Sequence, residues 1–336
     1  HGVECIGIYR GYEGMIDGDF IDLNARSVKG IINKGGTFLK SARSKEFRTK
    51  AGRKKAYESL KAAHVDALVS IGGDGTFTGA MIFNQEFNFP VIGIPGTIDN
   101  DIFGTSHTLG YDTTLNTVVD VIDKIRDTAS SHNRLFFVEV MGRNSGFIAA
   151  NTGLASGAID ILIPEREGSI EAICEKLEKG RQRKKTSSIV IVAEGCKLGH
   201  AQHIADQVSA RLKDYDTKVS ILGHIQRGGD PTSFDRILAS RLGVAAVEGL
   251  IAGRKDEMVG IIKNQVVYTP FEEAIREGMR SSGTVVTAAA LIFISAVIGL
   301  ATGHFAGLQQ LGVGLAIGVI VDATIIRGML LPSAMV

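Results

Sequence analysis

The segment Gly72–Thr76 combines glycines, a carboxylate and a hydroxyl directly after a short apolar run. Glycines let backbone N–H groups approach phosphate oxygens closely, and the beginning of a helix adds positive potential there. Asp74 could hold a magnesium ion beside the phosphates, because Mg²⁺ prefers carboxylate oxygens. The segment therefore predicts a nucleotide-phosphate site, and the alternative is an ordinary strand-to-helix turn.

Two carboxylates lie two residues apart in Pro95–Asp101, after the next apolar run. Phosphoryl transfer needs positioning, a base for the attacking hydroxyl and neutralisation of charge. Asp99 could accept the hydroxyl proton, while Asp101 supports the metal or orients its neighbour. Taken alone, an Asp-Asn-Asp loop is more often a turn or a helix cap.

Basic and polar residues follow three further apolar runs. Arginine gives forked hydrogen bonds to phosphate, so arginines and a histidine that converge could form a cage for a phosphate monoester. Each arginine taken singly is an ordinary solvated surface residue, and only their repeated position at strand ends favours a site. The candidate residues are Met141, Gly142, Arg143, Glu194, His224 and Arg227, with Arg134 and Lys218 as further cations.

Short β-branched runs alternate with amphipathic stretches from Val3 to about Ile275. This alternation predicts a mostly parallel, doubly wound α/β sheet, in which functional loops gather at the carboxyl ends of strands. The predicted strands are 67–71, 91–94, 135–140, 161–163, 189–193 and 219–222. The predicted helices are 54–63, 114–128, 169–182, 203–213 and 234–252. The motifs directly follow these strands, so the pattern predicts one site built from several strand ends.

The 336 residues carry 37 basic and 36 acidic side chains, a formal net charge of +1. This balance predicts no nucleic-acid partner and no anionic membrane surface, so any anion site has to be local. Cys5, Cys174 and Cys196 are odd in number and lack metal-ligand spacing, which favours free structural thiols in a reducing cytosol. The chain begins at His1 within a strand-like alternation and shows no h-region or cleavage site of a secretory signal.

The composition changes after about Arg276. Gly283–Gly303 is an uncharged run of roughly 21 residues, about the length that crosses a bilayer core as a helix. Phe305–Val321 follows as a second apolar run, in which Gly314 and Gly318 have the spacing that allows close helix approach. The sequence predicts an apolar transmembrane-like helical hairpin over residues 276–336, with membrane contact through 283–336. The alternative is a pair of buried helices in a soluble domain.

In this order and spacing, the strings GGDGT, PGTIDND, SSHNR, EVMGR and LGHIQRGGDP resemble those of the bacterial ATP-dependent 6-phosphofructokinases. The resemblance covers residues 1 to about 273, and its last string is the most specific, whereas GGDG alone also occurs in NAD kinases and lipid kinases. It implies a two-lobed, doubly wound α/β body over residues 1–275 with the site between the lobes. It also implies magnesium-dependent transfer of the ATP γ-phosphoryl group to the 1-hydroxyl of fructose 6-phosphate, the committed step of glycolysis, by a cytoplasmic homotetramer.

The resemblance further implies a role for each matching residue. Asp99 would be the catalytic base, with Thr97, Arg143 and Asp101 supporting the transfer. The nucleotide and metal site would be lined by Arg43, Gly73, Asp74, Gly75 and Thr76. The sugar phosphate would be held by Thr97, Asp99, Met141, Gly142, Arg143, Glu194, His224 and Arg227, together with Arg134 and Lys218 reaching in from a neighbouring subunit. Pyrophosphate-using relatives carry Asp and Lys where this chain has Gly75 and Gly96, which favours ATP as the donor.

Three departures from the family pattern qualify these roles. The SGGDAPGMN-type loop with which the family begins would precede His1, which implies an N-terminally truncated fold with an exposed sheet edge and apolar surface. Lys218 stands where the family commonly has arginine, and lysine keeps the charge but loses the forked geometry. Ala25, Gly30 and Ile159 occupy positions of polar effector contacts, so allosteric regulation is not implied.

The tail carries a second resemblance. Ser282–Leu291 and Gly314–Arg327 are similar to the last two membrane helices of RND-superfamily transporters, notably the MmpL branch. Two such helices form no transport path, and Asp322 has no proton-relay partner in them. Three hypotheses from different classes follow: an active phosphofructokinase, an inactive relative that still binds sugar phosphate, and a membrane-anchored chimera with an interaction role.

Overall fold

The structure, a computed structural model, describes residues 2–129, 134–182 and 188–276. Elements of the first half are β1 Cys5–Ile8, α1 Tyr12–Asp17, β2 Phe20–Leu23, α2 Lys50–Ala62, β3 Leu68–Gly72, α3 Asp74–Phe87, β4 Val91–Pro95 and α4 Tyr111–Ala129. Those of the second half are β5 Arg134–Val140, α5 Phe147–Ala155, β6 Asp160–Leu162, α6 Ile170–Gln182, β7 Ser188–Ala193, α7 Ala201–Arg211, β8 Asp216–Ile221, α8 Ser233–Ile251, β9 Glu257–Ile262 and β10 Gln265–Pro270. Two 3-10 turns, Glu46–Arg48 and Gly223–Arg227, complete the order.

The first sheet has the strand order β10-β9-β4-β3. Strands β9, β4 and β3 are parallel, while β9 and β10 form an antiparallel hairpin. Successive side chains of β4 point to opposite faces, as the period of a strand requires. Val91 therefore joins the aromatic cluster around Phe77 and Phe83, whereas Ile92 and Ile94 pack against α8. Burial on both faces explains why β4 is a continuous apolar run.

The second sheet is parallel throughout, with the order β6-β7-β5-β8. Its central strand β5 alternates in the same way. Leu135 and Phe137 pack against α6 and α7, and Phe136, Val138 and Val140 pack against α4 and α5. Each sheet thus has helices on both faces and a core of its own, which confirms the predicted two-lobed, doubly wound α/β body.

Helices α4 and α8 join the lobes by capping each other. The Asp235 carboxylate in the first turn of α8 accepts hydrogen bonds from the backbone N–H of Gly110 at 3.0 Å and of Thr113 at 2.9 Å. In return, the backbone N–H of Thr232, the N-cap residue of α8, donates to the Thr113 hydroxyl in the first turn of α4 at 3.2 Å, and the Thr232 hydroxyl donates to Asp112 at 2.6 Å. Both helix ends have N–H groups without intrahelical partners, so each helix satisfies the other's.

The predicted open sheet edge is confirmed. Among the described strands, β3 pairs with β4 alone, and β1 and β2 form a separate antiparallel hairpin. Ile71 on β3 keeps 62% of its surface exposed.

The three cysteines are free, as predicted.

Nothing in the described structure bears on the predicted apolar hairpin. Residues 277–336, which hold nearly all of it, lie outside the described residues. Within 2–129, 134–182 and 188–276, no helix combines the length and the apolar character needed to span a bilayer.

Candidate active site

Asp74 lies where β3 ends and α3 begins. Gly73 is the N-cap residue of α3, and Asp74 is in the first helical turn, as the sequence predicts. One oxygen of this carboxylate, Oδ1, is buried and has no hydrogen-bond partner within the described residues. Burial, and next the nearby Asp101 carboxylate, raise the pKa of Asp74 to about 6. A buried oxygen left unpaired is costly, so this position suits a cationic ligand.

The loop after β4 holds Asp99 in a fixed position. The Asp99 backbone N–H donates to the Thr97 hydroxyl at 3.2 Å, and the Thr108 hydroxyl donates to the Thr97 carbonyl at 2.6 Å. Asn100 has a left-handed backbone with φ of 52°, and its Oδ1 accepts from the Thr108 N–H at 2.9 Å. Sequence reasoning assigned no role to Asn100 or Thr108, although both hold this loop in shape.

The loop after β5 enters the site from the other lobe. Arg143 has a positive φ of 50°, and its backbone N–H donates to a carboxylate oxygen of Glu194 at 2.6 Å. Glu194 follows β7, so the ends of two neighbouring strands are tied together. Ser145 in the same loop donates its hydroxyl to the Asp99 carbonyl at 3.2 Å, which connects the two lobes directly.

Acidic and basic groups of the two lobes meet at Asp99. This residue is 6% exposed, and its carboxylate lies 3.4 Å from the Arg143 guanidinium, which is itself largely exposed. Burial and then Asp101 raise the pKa of Asp99, Glu194 raises it further, and Arg143 and Arg227 oppose the rise. Burial also raises the pKa of Asp101. The structure thus brings together residues from five of the predicted segments, with a buried carboxylate facing an exposed cation.

The turn Gly223–Arg227 presents its predicted residues to solvent and buries one that was not predicted. His224 and Arg227 are exposed, and Gln226 is 1% exposed. Gln226 belongs to the quoted string LGHIQRGGDP, but a glutamine between Ile225 and Arg227 gives no chemical signal by itself.

Arg134 and Lys218 lie away from the other predicted cations of the same chain. Both pair with Asp216, at 3.0 Å and 2.6 Å. Arg134 begins β5 and lies opposite Asp216, at the amino ends of parallel strands, whereas Arg143 follows the carboxyl end of β5. A seven-residue strand spans roughly 20 Å. Within one chain these two cations therefore do not join Arg143, His224 and Arg227 in a single phosphate cage.

The remaining predicted nucleotide residues lie near Asp74 or on the exposed segment before α2. The Thr76 carbonyl accepts from the Tyr12 hydroxyl at 2.6 Å, and a Cβ on Gly72 would lie 2.3 Å from the Thr76 hydroxyl oxygen. Arg43 is exposed, and within the described residues no ion pair joins it to Asp74. The segment that carries Arg43 nevertheless approaches the residues that follow the turn Gly223–Arg227, because a Cβ on Gly35 would lie 2.2 Å from the Gly229 carbonyl oxygen.

Two glycines shape the space around Asp74 differently. A Cβ added at Gly75 would meet nothing within 4 Å. A Cβ added at Gly96 would lie 3.0 Å from the Ile71 side chain and 3.4 Å from the Gly72 nitrogen. Gly75 therefore leaves an open space beside Asp74, whereas Gly96 permits the close approach of β3 and β4.

The family comparisons divide the chain in two. The phosphofructokinase family model matches residues 1–250, and the MMPL family model matches residues 268–336. Only the first nine residues of the second match, 268–276, fall within the described structure.

Individual relatives agree with the first match. The chain is 52% identical over 276 residues to ATP-dependent 6-phosphofructokinase 2 of Bacteroides thetaiotaomicron, covering 82% of this chain and 85% of that protein. It is 53% identical over 274 residues to ATP-dependent 6-phosphofructokinase 1 of Thermus thermophilus, covering 82% and 85%.

Solved structures agree on the fold. Phosphofructokinase from Saccharomyces cerevisiae matches with a TM-score of 0.82 and 33% identity, and covers 85% of this chain, which spans 43% of the length of the yeast chain. The pyrophosphate-dependent enzyme of Marinobacter aquaeolei matches with a TM-score of 0.70 at 22% identity, covering 81% of this chain and 75% of that one. The latter likeness concerns the fold alone.

Proposed function

The chain belongs to the phosphofructokinase family, and on this premise we propose that it transfers the γ-phosphoryl group of ATP to the 1-hydroxyl of fructose 6-phosphate. The observation that carries the proposal is the position of Asp99, buried beside Asp101 and facing Arg143 across the lobes. Phosphoryl transfer requires a base for the hydroxyl and a cation for the charge that develops on the transferred group. This pair offers both at the carboxyl ends of β4 and β5.

Asp99 is proposed to accept the proton of the attacking hydroxyl. Burial and the Asp101 charge raise the pKa of Asp99, which makes it a better proton acceptor than an ordinary aspartate. Arg143 counteracts part of this rise and keeps the carboxylate ionised for the reaction. The exposed Arg143 guanidinium and the Thr97 hydroxyl, which accepts the Asp99 N–H, would contact the transferring phosphoryl group.

Magnesium fits the acidic side of the site. The unpaired, buried Oδ1 of Asp74 and the nearby Asp101 carboxylate are the oxygen ligands that Mg²⁺ takes, and one or two carboxylates suffice when phosphates supply others. The ion would supply charge neutralisation at the β- and γ-phosphate oxygens. Gly73 and Gly75, at the beginning of α3, would direct backbone N–H groups at the same phosphates.

The test of the proposed function is formation of fructose 1,6-bisphosphate from fructose 6-phosphate with MgATP, measured by a coupled assay and compared with pyrophosphate as donor. We expect turnover with ATP and little with pyrophosphate. If the chain binds fructose 6-phosphate in calorimetry but makes no product from either donor, the inactive sugar-phosphate-binding alternative replaces the enzyme. The membrane-anchored alternative gains no support from the described residues.

The open space at Gly75 leads to a prediction about the phosphate donor. Gly75→Asp should raise KM for ATP about tenfold or more, because a carboxylate beside Asp74 repels the donor phosphates and occupies their space. KM for fructose 6-phosphate should stay within about twofold. Gly243→Asp is the matched control, since Gly243 is also a helical glycine with nothing within 4 Å of an added Cβ. Unchanged ATP kinetics in Gly75→Asp would contradict this placement of the donor.

Arg134 and Lys218 are proposed to serve the site of a neighbouring subunit. They lie on β5 and on the edge strand β8, too far from Asp99 of their own chain, and the side chain that joins them, Asp216, is half exposed. In an oligomer whose sites are shared between subunits, such cations would bind the phosphate group of a substrate in the neighbouring subunit's site.

Subunit mixing tests this arrangement. Asp99→Asn and the double variant Arg134→Ala, Lys218→Ala should each be nearly inactive alone. After unfolding and joint refolding in equal amounts, random assembly should return roughly one quarter of the activity of the unaltered chain, because one site in four then combines the intact halves. No recovery in an oligomer confirmed by sedimentation velocity would contradict sharing.

A further inference from the structure

Gln226 is the one buried residue of the turn Gly223–Arg227. Its neighbours His224 and Arg227 point to solvent at the predicted sugar-phosphate side, so the Gln226 side chain points the opposite way, into the lobe. A buried amide has to be hydrogen-bonded, because an unpaired donor or acceptor inside a protein is costly. The contacts of this amide therefore show what it does.

The Gln226 side chain connects the two predicted sugar-phosphate segments. Its Oε1 accepts from the backbone N–H of Met141 at 3.1 Å, and its Nε2 donates to the Gly223 carbonyl at 3.0 Å. The reverse orientation of the amide would set donor against donor and acceptor against acceptor, so only one orientation satisfies both contacts. The Gln226 carbonyl in turn accepts from the Thr114 hydroxyl on α4 at 2.9 Å.

The Met141 contact matters because the following residues are held in unusual backbone conformations. Gly142 has φ of 135°, and an added Cβ there would lie 2.5 Å from the Ser145 carbonyl oxygen. Arg143 has φ of 50° and is bonded through its N–H to Glu194. The loop is thus fixed at two backbone N–H groups, one held by Gln226 and the other by Glu194.

We infer that Gln226 is a positioning residue that sets the loop Met141–Arg143 against the turn Gly223–Arg227 and so determines the affinity for fructose 6-phosphate. The inference rests on the proposed function, in which both segments bind the same sugar phosphate. A ligand held by two segments is bound tightly only when their separation is correct. Within the described residues, Gln226 forms its hydrogen bonds with Thr114, Met141 and Gly223 and none with the predicted nucleotide residues Gly73–Thr76, so the affinity for ATP should not depend on it.

Gln226→Met tests the inference, since methionine has a similar length and makes neither hydrogen bond. KM for fructose 6-phosphate should rise about tenfold, which corresponds to ~1.4 kcal/mol, while KM for ATP stays within about twofold. Ile173→Val, a core change on α6 away from the site, is the control for a general loss of stability and should leave both KM values unchanged. Equal rises of both KM values, or none, would overturn the inference.

The conservative variant Gln226→Glu gives a second test, the pH dependence of KM for fructose 6-phosphate, which a purely structural role of Gln226 would leave unchanged. In Gln226→Glu the protonated carboxyl still donates to the Gly223 carbonyl, whereas the ionised carboxylate repels it. KM for fructose 6-phosphate of this variant should therefore rise with pH more steeply than that of the unaltered chain, and a parallel pH dependence would overturn the inference.

Binding measurements distinguish failure of the inference about Gln226 from failure of the proposed function. Calorimetric titration with fructose 6-phosphate should show about tenfold weaker binding to Gln226→Met than to the unaltered chain. Equal affinity for the two chains would overturn the inference alone. An unaltered chain that neither binds fructose 6-phosphate nor turns it over would contradict the proposed function, and the inference with it.

Discussion

Asp99→Asn should lower kcat for fructose 6-phosphate phosphorylation about a thousandfold, the middle of the range for loss of a general base. Asparagine keeps the shape of the side chain and can still face Arg143, but it cannot accept the hydroxyl proton. KM for both substrates should change little, because the Thr97 and Ser145 contacts involve the backbone of Asp99 and survive the substitution. The measurement is the coupled assay at saturating substrate.

Asp160→Asn is the control for this variant. Asp160 is also a paired carboxylate, 2.6 Å from Lys176 and with 11% of its side chain exposed, but it lies on β6 outside the site. Its kcat should match that of the unaltered chain. An Asp99→Asn variant with kcat within tenfold of the unaltered chain would exclude Asp99 as the base.

The Asp99 carboxylate also determines how the rate of phosphorylation depends on pH. A base acts only when ionised, and the raised pKa of Asp99 means that protonation begins at a higher pH than for an ordinary aspartate. The rate should therefore fall as pH falls through this raised pKa. Arg143→Met removes the cation that lowers this pKa, so the acid limb of kcat should move to still higher pH. A limb at the ordinary aspartate position in both chains would contradict this assignment.

Asp235→Ala should lower the free energy of unfolding by about 3 kcal/mol. The change leaves the N–H groups of Gly110 and Thr113 and the Thr113 hydroxyl without the carboxylate that accepts all three, in a position where Asp235 is 4% exposed. Loss of a helix cap combined with unpaired buried donors has costs of this size. Chemical denaturation followed by circular dichroism measures the change.

Asp214→Asn is the surface control for the cap. Asp214 pairs with Arg181 at 2.7 Å but is 76% exposed in its side chain, and exposed ion pairs contribute little. Asp214→Asn should lower the free energy of unfolding by no more than about 0.5 kcal/mol. If both variants lost the same small amount, the reciprocal cap would not hold the lobes together.

The sequence predicted the parallel strands well because most residues of each are apolar. Strands β3, β4, β5 and β7 are found within one or two residues of their predicted bounds. The hairpin β9–β10 was missed for a local reason. Its turn residues Lys263 and Asn264 both have positive φ, as a two-residue hairpin turn requires, but the pair lacks the Asn-Gly or Asp-Gly signal by which such turns are found.

Helix α5 was missed because Phe147–Ala155 has no polar face. Ile148 and Ala149 are buried, whereas Phe147 and Leu154 are exposed although they are apolar. Periodicity separates helices from buried strands only when polar and apolar residues alternate at the helical period. Here the tertiary structure, and not the residue pattern, decides which side of the helix is covered.

The site was predictable where a residue acts through its own charge. Asp74, Asp99, Asp101, Arg143 and Glu194 were found from their positions at strand ends, and the structure brings them together. Residues that act by holding backbone, such as Gln226 and Asn100, carry no such signal, because any polar side chain could make the same bonds. Arg134 and Lys218 directly precede the predicted strands 135–140 and 219–222, so the sequence already places them at the strand ends opposite to Arg143, and their role in a neighbouring subunit's site stays a prediction.

The reciprocal cap between α4 and α8 also bears on how long the folded protein lasts. Its bonds join residues 122 and 125 positions apart, so closing them costs more loop entropy than closing a local contact. We expect these bonds to form after the folding transition state, so their removal should speed unfolding while leaving the folding rate nearly unchanged. The Asp235 carboxylate would thus slow unfolding. Its loss would shorten the lifetime of the native state, and of any oligomer built from it, far more than it would slow refolding.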